Sequence, residues 1–247
     1  MGQTNAVISG KGGTGKTSLT ANVGMALAQL GYRVLCLDCD IGLRNLDIAL
    51  AMTDRAVMDF TDVMKGRCSL EDAVVPHPRQ KNLYLLTAPT RVAEQDVDME
   101  AFRALFPAIK ERFDYCLVDA PAGLGHAFKL SLSAADRAIV VTTTDQSSLR
   151  DAQRTVMELH HLGRGRVHLV VNRCRKKLLK SLHQTIDDAI DTAGLPLLGV
   201  IPEDETMPLH AGRGNPLLLT TNDCAARAYR NIARRITGQR VSLMRIR

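Results

Sequence analysis

The sequence predicts one α/β domain with a mainly parallel sheet flanked by helices. Three observations predict it. Short runs rich in Val, Ile and Leu alternate with longer helical patterns along 247 residues. Most of these runs lack strict polar alternation, as strands buried on both faces do. A glycine-rich loop joins the first apolar run to the first helical pattern. The length suits one large domain with a real core. Apolar residues make up 45% and charged residues 23%, a globular balance that excludes a disordered chain. No apolar run reaches the roughly 18 residues of a spanning helix. The opening MGQTNAVISGKGG lacks a charged segment ahead of an apolar stretch, so no signal peptide is expected. The chain is expected to be intracellular.

Each element follows in order. Strands are predicted at 6–9, 33–38, 83–88, 115–120, 138–143, 167–172 and 197–201. A helix over 16–30 stops at Gly31, where a left-handed cap is available. The segment 52–79 reads as irregular, with short helical patterns around 59–64 and 70–75. One helix is predicted over 98–113. The helix over 147–162 carries Leu149, Ala152, Val156 and Leu159 on one face and stops at Gly163. The helix over 181–193 carries Leu182, Ile186, Ala189 and Ile190 and stops at Gly194. A last helix covers 225–236. With no internal repeat, low-complexity tract or linker, the division is a domain over 1–237 and a basic tail over 238–247.

The loop reads Gly10-Lys11-Gly12-Gly13-Thr14-Gly15-Lys16-Thr17. It satisfies GxxxxGK[ST], directly after a strand and directly before a helix, the context that defines a phosphate-binding loop. Glycines let backbone N–H groups converge on anionic oxygens with no Cβ in the way. The helix N-terminus adds its dipole and free N–H groups. Lys16 can reach the β- and γ-phosphates, and the Thr17 hydroxyl can ligate Mg²⁺. The fold expected is therefore a single-domain P-loop NTPase. Lys11 is a second, earlier lysine that a one-chain phosphate cradle does not need.

Three carboxylates are candidates to complete such a site. Asp119 ends the strand over 115–120, a Walker B position. Asp38 and Asp40 end the strand over 33–38, and one of them should orient the attacking water or reach the metal shell. Mg²⁺, a hard cation, takes oxygen ligands of this kind. No Asn/Thr-Lys-x-Asp guanine-reading motif occurs, which favours adenine.

Lys11-Gly-Gly-Thr-Gly-Lys16-Thr17 resembles the deviant Walker A motif of the MinD/ParA family of ATPases. Asp38-Cys-Asp40-Ile-Gly-Leu-Arg-Asn45-Leu-Asp47, Asp119-Ala-Pro-Ala-Gly, Ser147-Ser-Leu-Arg-Asp151-Ala and Val200-Ile-Pro202-Glu203-Asp204 resemble stretches of its MinD branch. The resemblance runs to about Ala228, nearly the whole chain. It implies a slow, switch-type ATPase that binds ATP and Mg²⁺, forms a homodimer with ATP, and lies peripherally on the inner face of the cell membrane. There it would help place the division septum, with a protein effector and an ATPase activator as partners. It implies that Lys11 reaches the nucleotide of the dimer partner and that Asp40 positions the attacking water. Asp38, Asp119 and Thr17 would form the metal environment, and Asn45 would belong to a switch loop. Nucleotide binding would fall to Gly12, Gly13, Thr14, Gly15, Lys16, Thr17 and Ser18. Asn172 would bond adenine, its amide offering donor and acceptor in one plane. Pro202 and Glu203 would lie beside the base.

Net charge is +6, and the last 24 residues hold seven Arg (227, 230, 234, 235, 240, 245, 247) and no acid. A basic end suits an anionic surface. Read as a helix, the last nine residues place Leu243 and Ile246 on one side and Val241 and Met244 on another, an imperfect apolar face. Two further readings compete: a ParA-like segregation ATPase that binds DNA, with a flagellar-number regulator as its variant, and an iron–sulfur carrier. Nine aromatics and no Trp are poor material for stacking on nucleic acid, which is disfavoured as a partner. Cys36 and Cys39 form a CxxC within a strand, where residues three apart face opposite sides, so both read as buried hydrophobes. The seven His (77, 126, 160, 161, 168, 183, 210) show no zinc spacing and read as structural.

Overall fold

A computed structural model describes residues 1–163, 165–175, 185–207 and 217–244. Its strands are β1 (Gln3–Ile8), β2 (Val34–Asp38), β3 (Val75–Pro76), β4 (Leu83–Leu86), β5 (Tyr115–Asp119), β6 (Arg137–Thr142), β7 (Val167–Cys174) and β8 (Leu197–Pro202). They form one sheet in the order β3-β4-β2-β5-β1-β6-β7-β8, parallel except for the edge strand β3. The helices are α1 (Lys16–Gln29), α2 (Asn45–Ala49), α3 (Phe60–Met64), α4 (Leu70–Ala73), α5 (Met99–Arg103), α6 (Phe106–Arg112), α7 (His126–Ser133), α8 (Gln146–His161), α9 (Ile186–Ala193), α10 (Leu217–Thr220) and α11 (Cys224–Ile236). The single α/β domain of the sequence is what forms.

Helices cover both faces, which is why the central strands carry apolar residues at nearly every position. On one face α1 and α11 pack Leu19, Val23, Tyr229 and Ile232 onto Val7, Cys36, Leu117 and Val170. On the other, α7 and α8 lay Phe128, Leu149, Val156 and Leu159 over Ile8, Val140 and Leu169. Phe60, Phe102 and Phe106 cover Leu35, Leu37 and Val118. Cys36 and Cys39 enter different cores, as their spacing requires. Burial raises the thiol pKa of both. Cys116 and Cys174 are buried as well, so these four thiols offer no exposed cluster for iron and sulfur.

Three expectations need correction. The helix over 98–113 is two helices, α5 and α6, because Pro107 opens the second and has no N–H to extend the first. The helix over 181–193 begins at Ile186, since Thr185 is extended and caps it through a box with Asp188; residues 181–184, with Leu182 and His183, lie outside the described residues, as does His210. Residues 239–244 form no helix. They are docked instead: the Arg235 guanidinium donates to Leu198 O at 2.9 Å, to Val241 O at 2.9 Å and to Ser242 O at 2.9 Å. Met244 packs against the core. Arg245, Ile246 and Arg247 lie outside the described residues.

The contact of α1 with β2 is close enough to test. A Cβ at Gly24 would stand 2.5 Å from Cys36 Sγ, inside van der Waals contact. Helix propensity favours Ala over Gly, but overpacking should dominate. G24A is expected to cost about 1–3 kcal/mol in denaturant unfolding, and the double variant G24A/C36A to recover most of that. A double variant as unstable as G24A would contradict this packing.

Candidate nucleotide site

β1 ends at the centre of the sheet, with β5 on one side and β6 on the other. That is the switch point of an open α/β sheet, where ligands bind beyond the strand ends. The glycine-rich loop fills it and runs into α1. Gly13 (φ +76°) and Gly15 (φ +91°) adopt left-handed conformations. A Cβ at Gly15 would lie 2.2 Å from Asn172 Nδ2, so glycine is needed there for space as well. Asn172, near the end of β7, donates to Thr14 O at 2.8 Å and pins the loop from the side.

The two loop lysines point apart. Lys16 is buried, and its Nζ donates to Ser9 Oγ at 2.9 Å, which in turn donates to Lys11 O at 2.6 Å. Lys11 Nζ turns outward, donates to Ser147 Oγ at 2.7 Å and stands 3.7 Å from Asp145 Oδ1 at the start of α8. Burial works against ionisation of Asp145, but hydrogen bonds from Thr143, Ser147 and Ser148 hold its carboxyl well below the usual range. A firm anion therefore sits beside Lys11.

The predicted carboxylates converge. Asp38 and Asp119 are register partners on β2 and β5, both almost fully buried. Asp38 accepts from Asp40 N at 2.8 Å and from Leu46 N at 3.2 Å, bracing the loop into α2. Asp119 accepts from Thr20 Oγ1 at 3.1 Å and is hydrogen-bonded by Thr17. Asp40 is half-buried and accepts weakly from Asn45 Nδ2 at 3.4 Å. Burial pushes Asp38 up to about 7, with the Asp119 charge adding to it. Burial likewise raises Asp119 to about 6, against hydrogen bonds from Thr17 and Thr20 and the Lys16 charge. Burial lowers the Lys16 pKa, while Asp119 and Asp40 oppose that.

Among the described residues no three His, Cys, Asp or Glu side chains form a self-sufficient metal cage. Mg²⁺ needs none, since it takes one or two protein oxygens plus waters and phosphate oxygens. The Thr17 hydroxyl and the Asp119 carboxylate fit that pattern. Two buried carboxylates that disfavour each other's charge are the environment a divalent cation relieves.

Beside the loop, a cavity of about 260 Å³ gathers Gly15, Ser18, Asn172, Pro202 and Glu203, all predicted. Arg173, Met207 and Tyr229 also line it and are not singled out by the sequence. Arg173 carries a positive φ of 52°, a strain that no sequence signal announces. Glu203 makes an ion pair with Arg175 at the rim. A larger recess of about 840 Å³ lies at the opposite end of the strands, around Gln3, Tyr32 and Asp114, away from the phosphate loop.

This fold and this site define a P-loop nucleotide-binding protein of the kind that hydrolyses ATP with Mg²⁺. The model of the CobQ/CobB/MinD/ParA nucleotide binding domain matches residues 5–217. The chain belongs to that family and is a MinD-like ATPase. It is 40% identical to the septum site-determining protein MinD of Bacillus subtilis over 98% of this chain and 92% of that protein. With the Synechocystis protein of the same name it shares 37% over 99% and 92%. MinD in the Aquifex aeolicus MinC:MinD complex superposes with a TM-score of 0.92 at 37% identity, covering 98% of both chains. MinD complexed with Mg-ADP from Pyrococcus horikoshii superposes at 0.84 and 30% identity, covering 96% of both.

The buried carboxylates make a pH prediction. Both native pKa values lie above the ordinary value of 3.8. The native chain then binds more protons than the unfolded chain between about pH 4 and pH 7, so stability falls as pH rises through that window. Through these two groups the nucleotide-free protein is expected to lose Tm between about pH 4 and pH 7. D119N, whose amide Thr17 can still bond, is expected to flatten that loss. Because the buried His77 and His168 act in the opposite sense, the test is the difference between the two proteins: a D119N whose Tm follows pH as wild type does would contradict the burial of a destabilised carboxylate at Asp119.

Proposed function

We propose that this ATPase helps place the cell-division septum as an ATP-switched homodimer on the inner face of the cell membrane. The observation that carries the reading is the divergence of the two loop lysines. Lys16 serves its own phosphate cradle. Lys11 faces away from it, exposed, where a second subunit could receive it. Lys16 and the N–H groups of Gly12, Gly13, Thr14, Gly15, Thr17 and Ser18 hold the phosphates. Asn172, Pro202 and Glu203 border the adenine. Thr17 and Asp119 hold Mg²⁺, with Asp38 behind them. Held there, Mg²⁺ would supply positive charge against the phosphates. Asp40, the most accessible of the three carboxylates, orients the attacking water, with Lys11 of the partner completing the site.

Residues 1–237 act as the ATPase domain and 238–247 as the membrane-directed tail. No helix among the described residues is long and apolar enough to cross a membrane. Each basic residue near an anionic surface contributes at most about 1 kcal/mol, and four medium apolar side chains add only a few kcal/mol. One tail therefore binds weakly, while two tails in an ATP dimer gain from effective concentration. A protein effector and a separate activator of hydrolysis complete the partner set, and nucleic acid is not among them.

K11A is expected to bind ADP normally but to remain monomeric with ATP in light scattering. D40A is expected to dimerise with ATP and then stall, giving a long-lived dimer. Normal dimerisation of K11A, or normal turnover of D40A, would remove that residue from its role.

Deleting residues 239–247 is expected to abolish ATP-dependent co-sedimentation with anionic liposomes while leaving the ATP dimer intact. Equal sedimentation of the truncated protein would mean that the membrane contact lies elsewhere. Salt-sensitive sedimentation with duplex DNA instead would favour the segregation reading.

A further inference from the structure

Helix α7 follows the loop 120–125 that leaves Asp119, and it begins without a local cap. Gly125 stands at its N-cap position and offers no side-chain oxygen. The missing acceptor comes from far away in sequence. Glu94, in the short turn Glu94–Asp96, accepts the N–H of Ala127 through Oε1. Next to it, Val97 O is bonded by His126 Nε2 at 3.0 Å. At the other end of the same segment, Pro89 O accepts from Gly42 N at 3.0 Å, in the loop that follows Asp40. Residues 89–97 are therefore bonded to the loop after β2 and to the first turn of α7, into which the loop after β5 leads.

We propose that Glu94 is a positioning residue for ATP hydrolysis, fixing the loop after Asp119 relative to the loop that carries Asp40. The proposal rests on the reading of Asp40 given above. Three observations support it. The Glu94 carboxylate is the side-chain acceptor that α7 lacks at its N-terminus. A Cβ at Gly125 would lie only 3.3 Å from Glu94 Oε1, so the carboxylate is packed closely over the start of the helix. Gly42, two residues beyond Asp40, is bonded to Pro89 O at the start of the segment that carries Glu94, so one short stretch of chain holds both sides. None of these bonds involves Gly10 to Thr17. Loss of Glu94 should therefore spare nucleotide binding and disturb only the alignment needed for turnover. Misplacing a reacting group by a fraction of its reach is enough to slow a reaction strongly.

The experiment compares wild type, E94A, E94Q, G125A and D40A in Mg-ATP turnover, with ADP affinity by calorimetry and Tm for each. E94A is expected to lose about ten- to a hundredfold in kcat, with KM and ADP affinity within about twofold of wild type. E94Q keeps an oxygen that can accept from Ala127 N and is expected to retain most of the rate. G125A, whose backbone φ of −73° suits alanine, is expected to push Glu94 aside and lose rate without losing affinity. It carries the test alone if E94A does not fold. Wild-type kcat in E94A or in a folded G125A overturns the proposal. So does an E94Q as slow as E94A, or a loss of ADP affinity parallel to the loss of kcat. D40A separates the two claims: normal turnover there removes Asp40 from its role, while a stalled D40A beside a normal E94A removes only Glu94.

Discussion

The site depends on the in-register parallel pairing of β2, β5 and β1. Asp119 is the register partner of Asp38 on one side and of Val7 on the other. Three strands thus end at one level, and whatever leaves them meets there: the phosphate loop after β1, the Asp40 loop after β2 and the 120–125 loop after β5. A slip of one residue in β2 or β5 would send its carboxylate to the opposite face of the sheet. The cost is also local to this level. Two carboxylates and one ammonium are taken out of water together, and burial pushes all three towards their neutral forms. A phosphate group with its cation restores the charges that burial opposes, so the fold is shaped around a polyanion and a divalent metal.

Around that level, polar side chains connect elements rather than fill space. Asp38 spends its carboxylate on the backbone of the next loop. Asn172 holds the phosphate loop from β7. Asp145 caps α8 and also anchors Lys11. Each bond fixes a loop that regular hydrogen-bonding leaves free. Such loops have few backbone bonds of their own, so a small number of contacts decides their position.

The arginine-rich end behaves differently from a uniform cationic patch. Arg235 is spent on the carbonyls of Leu198, Val241 and Ser242, and Arg230 donates to Leu218 O at 3.3 Å. Burial lowers the pKa of both. Both keep their charge at neutral pH, but part of their hydrogen-bonding capacity is committed to backbone carbonyls rather than open to anionic headgroups. Residues 239–244 are held against the domain, so a tail that engages a membrane along its whole length must exchange those carbonyl bonds for water or headgroups.

The sequence by itself determined the seven parallel strands, the phosphate loop and the three carboxylates at or just beyond strand ends. These signals are local: a run of β-branched residues, a glycine spacing, an acid at the end of a strand. It also carried the opposite orientation of Cys36 and Cys39, which follows from the two-residue period of a strand. It missed the two-residue edge strand β3 and the short helices α2, α7 and α10; neither α2 nor α7 has a capping side chain at its own N-terminus. It joined α5 to α6 across Pro107, because periodicity continues through a break that backbone chemistry imposes. Only the tertiary structure decided what caps α7, where Lys11 rests and how the tail begins. Glu94 is 33 residues from Ala127, and Lys11 is 136 residues from Ser147. Pairings over such separations exist only once the sheet has set its strand order, and no spacing within the chain encodes them.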